Sequence, residues 1–301
     1  MKLAILMSTY NGEKFLHQQI ESILNQTCDC DLDLWVRDDG STDGTQDILK
    51  AYADAGKLRW YTGPNLKPAK SFLDLLKHCS GYDFYAFADQ DDYWYPDKLR
   101  NGLEKIKASA GPALSFANAR LVDAQLQPVG RNVYRVPPHT DFYSITCNGG
   151  ILGCTIVFNK KLAQLIQEKP IPKDVVMHDY YLGIVCTLHD GEVIYDSSAC
   201  MDYRQHGNNV VGTSWKKIDA LKNRVGILTV KNSNTIDKMA EAICRNYEAV
   251  PDMKKIQWLK RVSQYRKSVF HATGLALDRK PGYNSINMGI TLRLAILLRN
   301  R

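Results

Sequence analysis

The 301-residue chain has no run of eighteen uninterrupted apolar residues, so no segment of it is expected to span a bilayer. Its apolar start, Leu3 to Met7, is much shorter than a signal-peptide core and leads into Ser-Thr-Tyr-Asn-Gly without a small-residue cleavage site, so no secretory leader is expected. The eight Cys, at 28, 30, 79, 147, 154, 186, 200 and 244, include no C-x-x-C pair and lack the dense spacing of small secreted scaffolds. Reduced thiols and a cytoplasmic setting follow as expectations. The first apolar run is not followed by Gly-x-Gly-x-x-Gly, which argues against a hydride-transferring dehydrogenase. Internal repeats and low-complexity segments are also missing. What remains, 45% apolar and 24% charged residues with 20 Gly and 11 Pro, is the composition of a globular protein with a sizeable core.

Charge is unevenly spread. Residues 1–213 carry 21 Lys and Arg against 26 Asp and Glu, whereas residues 214–301 carry 18 against 6. Two parts with different partners are implied, with the boundary near Gly212. In the second part Trp215, Ile218, Leu221, Val225 and Leu228 recur every three or four residues among Lys216, Lys217, Lys222 and Arg224, the pattern of a basic amphipathic helix. The run Met288–Leu298 is too short and too interrupted to cross a bilayer, yet suited to lie in its interface. Such a tail is expected to rest on a membrane surface or to pack against the first part or a second protomer. A nucleic-acid-binding role is the reading from another class. The acidic first part opposes it, and the tail holds no recognised binding motif.

The first hundred residues alternate short apolar runs with amphipathic stretches, the pattern of βαβ units on a mainly parallel sheet. Strands are predicted at residues 2–8, 32–37, 58–62 and 84–88, with helices at 13–26, 43–55 and 70–77. Further strands are predicted at 114–117 and 151–158, and a helix at 178–188. Open α/β sheets bind ligands beyond the carboxyl ends of their strands, and three polar signatures fall there. Ser8-Thr9-Tyr10-Asn11-Gly12 follows the first strand and Asp38-Asp39-Gly40-Ser41-Thr42-Asp43-Gly44 the second. A carboxylate there can accept from a base imide or a ribose hydroxyl, while Asp43 alternatively caps the next helix. The fourth strand ends in Asp89-Gln90-Asp91-Asp92, where carboxylates two residues apart can share a hard divalent cation with a nucleotide diphosphate.

These three motifs, in this order and spacing, resemble the family 2 glycosyltransferases of the GT-A fold. Met177-His178-Asp179-Tyr180-Tyr181 and Tyr203-Arg204-Gln205-His206-Gly207-Asn208-Asn209 resemble its rhamnosyltransferase-like branch, which builds bacterial cell-surface polysaccharides. The resemblance covers residues 1–213. It implies a GT-A catalytic domain there and a helical appendage over 214–301. The implied reaction is an inverting, metal-dependent transfer of a hexose, L-rhamnose from dTDP-L-rhamnose, to a glycan or lipid-linked glycan acceptor, with UDP-galactose or UDP-glucose as alternative donors.

The resemblance also implies roles. Thr9, Tyr10, Asn11, Asp38, Asp39 and Ser41 would hold the nucleotide, with Asp39 and Thr9 at the base. Asp89, Gln90, Arg204 and His206 would face the donor sugar and diphosphate. Asp91, Asp89 and His206 would bind Mg²⁺ or Mn²⁺. Asp179 matches the position of the family's general base, with helix capping as the competing reading. Gly149, Gly150, Cys154 and His178 are expected on the acceptor side. Trp94 is expected there too, stacking on a sugar face or else packing in the core. Cys154 is read as a small buried thiol.

Overall fold

The computed structural model describes residues 1–206 and 235–299. The apolar run near the N-terminus becomes β1 (Lys2–Thr9), in which Leu3 to Met7 are all buried. A strand buried on both faces belongs in the centre of a helix-covered sheet. Accordingly β1 pairs in parallel with β2 (Asp31–Asp38) on one side and β4 (Phe84–Ala88) on the other, and β3 (Arg59–Thr62) adds to β2. The register sets Thr9 opposite Asp38 and Met7 opposite Ala88, so the three signature loops leave the sheet from one edge.

Between these strands run α1 (Glu13–Leu24), α2 (Thr45–Asp54) and α3 (Lys67–His78). Beyond β4 the chain forms β5 (Tyr93–Trp94), α4 (Lys98–Ile106), β6 (Ala113–Val122), β7 (Pro128–Asn132) and α5 (Phe142–Asn148). Then come a 3₁₀ turn at Gly153–Thr155, β8 (Val157–Asn159), α6 (Lys160–Gln167), α7 (His178–Leu188) and β9 (Glu192–Arg204). The sheet runs β3-β2-β1-β4-β8-β6-β9-β5, with β7 beside β6. It is mixed, because β8 lies antiparallel to β4 and β6, and β5 antiparallel to β9.

The alternation along β1 feeds two cores. Leu3, Ile5 and Met7 meet α1, α2 and α4, while Ala4 and Leu6 meet α3, α5, α6 and α7. The second core continues into α8 (Ile236–Asn246), α9 (Met253–Gln264), α10 (Val269–Ala276) and α11 (Ile286–Leu297). Trp258 meets Tyr143 edge to face at 5.2 Å, and the Tyr181 and Tyr247 hydroxyls lie 3.2 Å apart. Gly282 N–H donates to Ser144 Oγ at 2.8 Å. The helical region therefore docks on the face built by α5, α6 and α7.

Several expectations are corrected. Residues 151–158 are not one strand; the 3₁₀ turn at Gly153–Thr155 leaves only a short strand after it. Cys28 and Cys30, expected reduced, form a disulfide, since the turn between α1 and β2 holds their Cα atoms 5.5 Å apart. The other six Cys are not disulfide-bonded. The expected boundary near Gly212, the amphipathic helix from Trp215 to Leu228, and Gly207, Asn208 and Asn209 lie outside the described residues.

Candidate active site

Asp38, at the end of β2, is fully buried and ties the first two signature loops together. Its Oδ1 accepts from the Thr9 hydroxyl at 3.0 Å and the Ser41 hydroxyl at 2.5 Å. Its Oδ2 accepts from the N–H groups of Gly40 and Ser41 and from Gln46 Nε2. So many donors on one carboxylate make it a structural hub, with Thr9 and Ser41 committed to it. Asp39 is buried beside it, paired with the Arg37 guanidinium and accepting from Leu66 N–H at 2.9 Å. Asn11, at a positive φ of 49°, donates through its N–H to Ser41 Oγ and accepts from Thr42 N–H, which pins loop one onto loop two. Tyr10 stays half-exposed and Asn11 is exposed beside it.

The third loop lies alongside. Gln90 grips loop one through both ends of its amide, accepting from Tyr10 N–H at 2.9 Å and donating to Tyr10 O at 3.1 Å. Asp91 meets His206, Oδ2 to Nε2, at 2.6 Å. Two residues 115 positions apart are thus brought together. Asp92, one residue on, turns inward: it is fully buried and its Oδ1 accepts from Arg204 N–H at 3.1 Å. The Arg204 guanidinium is buried too, donating to Asp91 O, Ala124 O and Gln18 Oε1 and lying 4.4 Å from the Phe15 ring centre. Its hydrogen bonds hold the acidic loop and α1 together, so this guanidinium, expected at the diphosphate, is engaged within the protein.

Asp179 lies in the first turn of α7, but it does not cap it. The cap position is Met177, and no side chain caps there. Its carboxylate accepts from Tyr180 N–H at 2.6 Å and from Gly153 N–H. Burial outweighs these donors and pushes its pKa up to about 6. Asp89 is pushed up to about 7, first by burial and then by the negative charges of Asp91 and Asp179. The four acidic residues therefore form one electrostatic group, reaching from His206 at one end to Asp179 at the other.

Cys154 sits beneath this group. It is buried, its thiol hydrogen-bonds to the Asp89 and Asp92 carboxylates, and burial followed by those charges drives its pKa well above the usual value. Asp89, Asp92 and Cys154 bring ligand-type atoms within 4.8 Å of one another. A protonated thiol that donates to carboxylates is a poor partner for a hard cation. Asp91 and His206, with carboxylate oxygen and imidazole nitrogen converging from two loops, fit Mg²⁺ or Mn²⁺ better, with Asp89 beside them.

Among the residues expected on the acceptor side, Gly149 and Gly150 take positive φ of 67° and 88° after α5, and Gly150 O accepts from the Tyr134 hydroxyl at 2.8 Å. His178 is buried between Phe72 and Phe87, at ring distances of 4.1 and 4.9 Å, and burial pushes its pKa down to about 3. A side chain at Gly153 would come within 2.8 Å of His178 Nε2 and 3.2 Å of Asp179 Oδ2, so this close approach requires glycine. Trp94 is corrected: it is 1% exposed in the core, with Lys98 Nζ 3.6 Å from its ring centre, and cannot stack on a sugar. Its neighbour Tyr93 is the exposed one. Gln18 and the inward role of Asp92 were not anticipated, because a buried hub leaves no mark in spacing.

Three comparisons bear on this arrangement. The sequence signature described as "Glycosyl transferase family 2" matches residues 4–142. The dTDP-rhamnosyl transferase RfbG of Shigella flexneri is 30% identical over 245 residues, covering 72% of this chain and 80% of that protein. A glucosyltransferase of Escherichia coli, WfgD, named for UDP-Glc and a GlcNAc-diphosphoundecaprenol acceptor, is 26% identical over 72% of this chain and 82% of its own length. The mannosyltransferase PcManGT from Pyrobaculum calidifontis, solved with GDP-Man and Mn²⁺, superposes with a TM-score of 0.56 at 16% identity, covering 99% of this chain and 86% of that one. That likeness establishes the GT-A-like fold. With three signature loops converging at one sheet edge, a family signature over them and a relative at this identity and coverage, the chain belongs to glycosyl transferase family 2, and is an enzyme that transfers sugars.

Proposed function

We propose that the protein is an inverting, metal-dependent hexosyltransferase that moves L-rhamnose from dTDP-L-rhamnose to a lipid-linked glycan during bacterial polysaccharide assembly. The observation that carries this reading is the line of carboxylates from the Asp91–His206 pair, through Asp89, to Asp179. An inverting displacement needs a leaving-group site at one end and a base at the other. Similarity to the RfbG protein supports the rhamnosyl donor.

In this reading Asp91 and His206, with Asp89, would hold the cation, which when bound neutralises charge growing on the departing diphosphate. Tyr10 and the Asn11–Ser41 loops receive the nucleotide, with Asp39 set by Arg37 at their floor. Asp179 faces the acceptor hydroxyl and takes its proton. Its elevated pKa serves this: it is ionised at neutral pH yet more basic than an ordinary carboxylate. Gly149 and Gly150 shape the acceptor side, with His178 packed in the core behind it rather than touching substrate, and residues 214–301 present the catalytic portion to its lipid-linked substrate at the inner membrane face. Nucleic acid has no part.

The test is hydrolysis and transfer by purified protein over a panel of nucleotide sugars, with Mg²⁺, with Mn²⁺ and with EDTA. The expected result is turnover of dTDP-L-rhamnose that EDTA or Asp91→Ala abolishes. Turnover of UDP-glucose instead would move the assignment toward the WfgD-like donor, and full activity in EDTA would sink the metal role.

A further inference from the structure

Helix α11 is apolar almost all round, with Arg293 its single charged residue in twelve. One face buries Gly289, Leu292, Ala295 and Ile296 against the protein. The opposite face exposes Ile286, Ile290, Leu294 and Leu297 at helical spacing, with Ile286 84% accessible. Helix α10 lies beside it, joined by Arg293, whose guanidinium donates to Ala276 O at 2.7 Å and Asp278 O at 3.0 Å. That helix exposes Val269 and Phe270, the latter 91% accessible, and Leu277 follows at its end. Two adjacent helices thus present apolar side chains to water, an arrangement that marks an interaction surface.

Charge identifies the partner. Residues 260–299 hold eight Lys and Arg and one acidic residue, Asp278, which is already paired with Arg261 at 3.0 Å. Lys260, Lys267, Arg279, Lys280 and Arg299 are exposed around the apolar helices. A symmetric contact with a second copy would set this surplus of positive charge against itself. An anionic bilayer surface complements it and accepts the apolar stripe below the headgroups. No helix among the described residues is long and apolar enough to cross a membrane, so the contact would be interfacial.

We propose that the outer surface of α10 and α11 docks on an anionic lipid leaflet, with Phe270, Ile286, Ile290, Leu294 and Leu297 entering the interface. This deepens the reading of a lipid-linked acceptor, on which its purpose rests. The mechanism is partition: each basic residue near an anionic leaflet contributes roughly fivefold, and the apolar residues add a salt-insensitive part.

The experiment is co-sedimentation of the full chain with vesicles of phosphatidylcholine plus phosphatidylglycerol, against phosphatidylcholine alone, at low and high salt. Wild-type protein should bind the anionic vesicles at least ~10-fold better at low salt than at high salt. The double variant Ile290→Asp with Leu294→Asp, placed on exposed positions, should lose about 10²-fold in partition while keeping its melting temperature and its hydrolysis of nucleotide sugar in solution. Wild-type protein that stays in the supernatant with anionic vesicles overturns the proposal, as does a double variant that binds like wild type. So does a wild-type dimer by light scattering that the double variant converts to monomer. Failure of the donor reading would look different: no nucleotide sugar hydrolysed while vesicle binding persists.

Discussion

Asp179 shows how one side chain is tuned by competing forces. A carboxylate in the first turn of a helix is favoured in its ionised form by the helix dipole and by backbone N–H donors. Here burial wins and holds the pKa near 6. Asp179→Asn should leave donor affinity unchanged and lower kcat by roughly 10²–10⁴-fold, the usual contribution of a positioned base. Wild-type rate should rise with pH through about 6 and level off above, because the base must be ionised. The same shift predicts a stability effect of definite sign. The folded state holds this proton more tightly than the unfolded one, from 3.8 up to about 6, so stability falls as pH rises through that window. Removing the charge should therefore raise the melting temperature at pH about 7 and leave it little changed near pH about 4. An unchanged kcat would assign the base to another carboxylate; a lowered melting temperature at neutral pH would show that the ionised group supports the fold.

Loops that join elements carry the second level of organisation. Asp38 links the ends of β1 and β2 and the approach to α2 through five donors from Thr9, Gly40, Ser41 and Gln46. Asp38→Ala should destabilise the protein by about 3 kcal/mol or more, since several buried donors lose their acceptor together, and nucleotide binding should fall with it. A variant with wild-type melting temperature and only a raised donor KM would make Asp38 a ligand contact instead. This hub marks the limit of what was legible in the sequence. The runs Leu3–Met7 and Phe84–Ala88 announce buried strands because continuous burial needs continuous apolarity, and their acidic or polar ends announce the site. Adjacent aspartates do not announce which one turns inward: Asp38 and Asp92 became internal acceptors while Asp91 met His206. Likewise β9, Glu192–Arg204, mixes polar and apolar residues and shifts register against β6 near Asn118, so no clean alternation betrays it.

At the scale of the whole molecule, periodicity tells which face of a helix is apolar but not what that face meets. The basic C-terminal region was open to three partners, and α8 and α9 took the nearest one, with Ile243, Trp258, Leu259 and Val262 joining the core that contains Tyr181 and Phe142. Continuity of core implies continuity of unfolding, because helices that complete a core are not a separable module. Trp258→Ala should cost about 3–5 kcal/mol and lower the melting temperature by roughly 6–15 °C. That loss should appear in one calorimetric transition, with nucleotide binding disappearing at the same temperature. The outcome against this view is two transitions, the lower one sensitive to Trp258→Ala and the upper one tracking nucleotide binding. The apolar residues left outside this core, on α10 and α11, would then belong to an independently folding unit, and membrane contact would reach the catalytic site only through its tether; with a single transition, the docked surface and the cleft between His206 and Asp179 are held in one rigid frame.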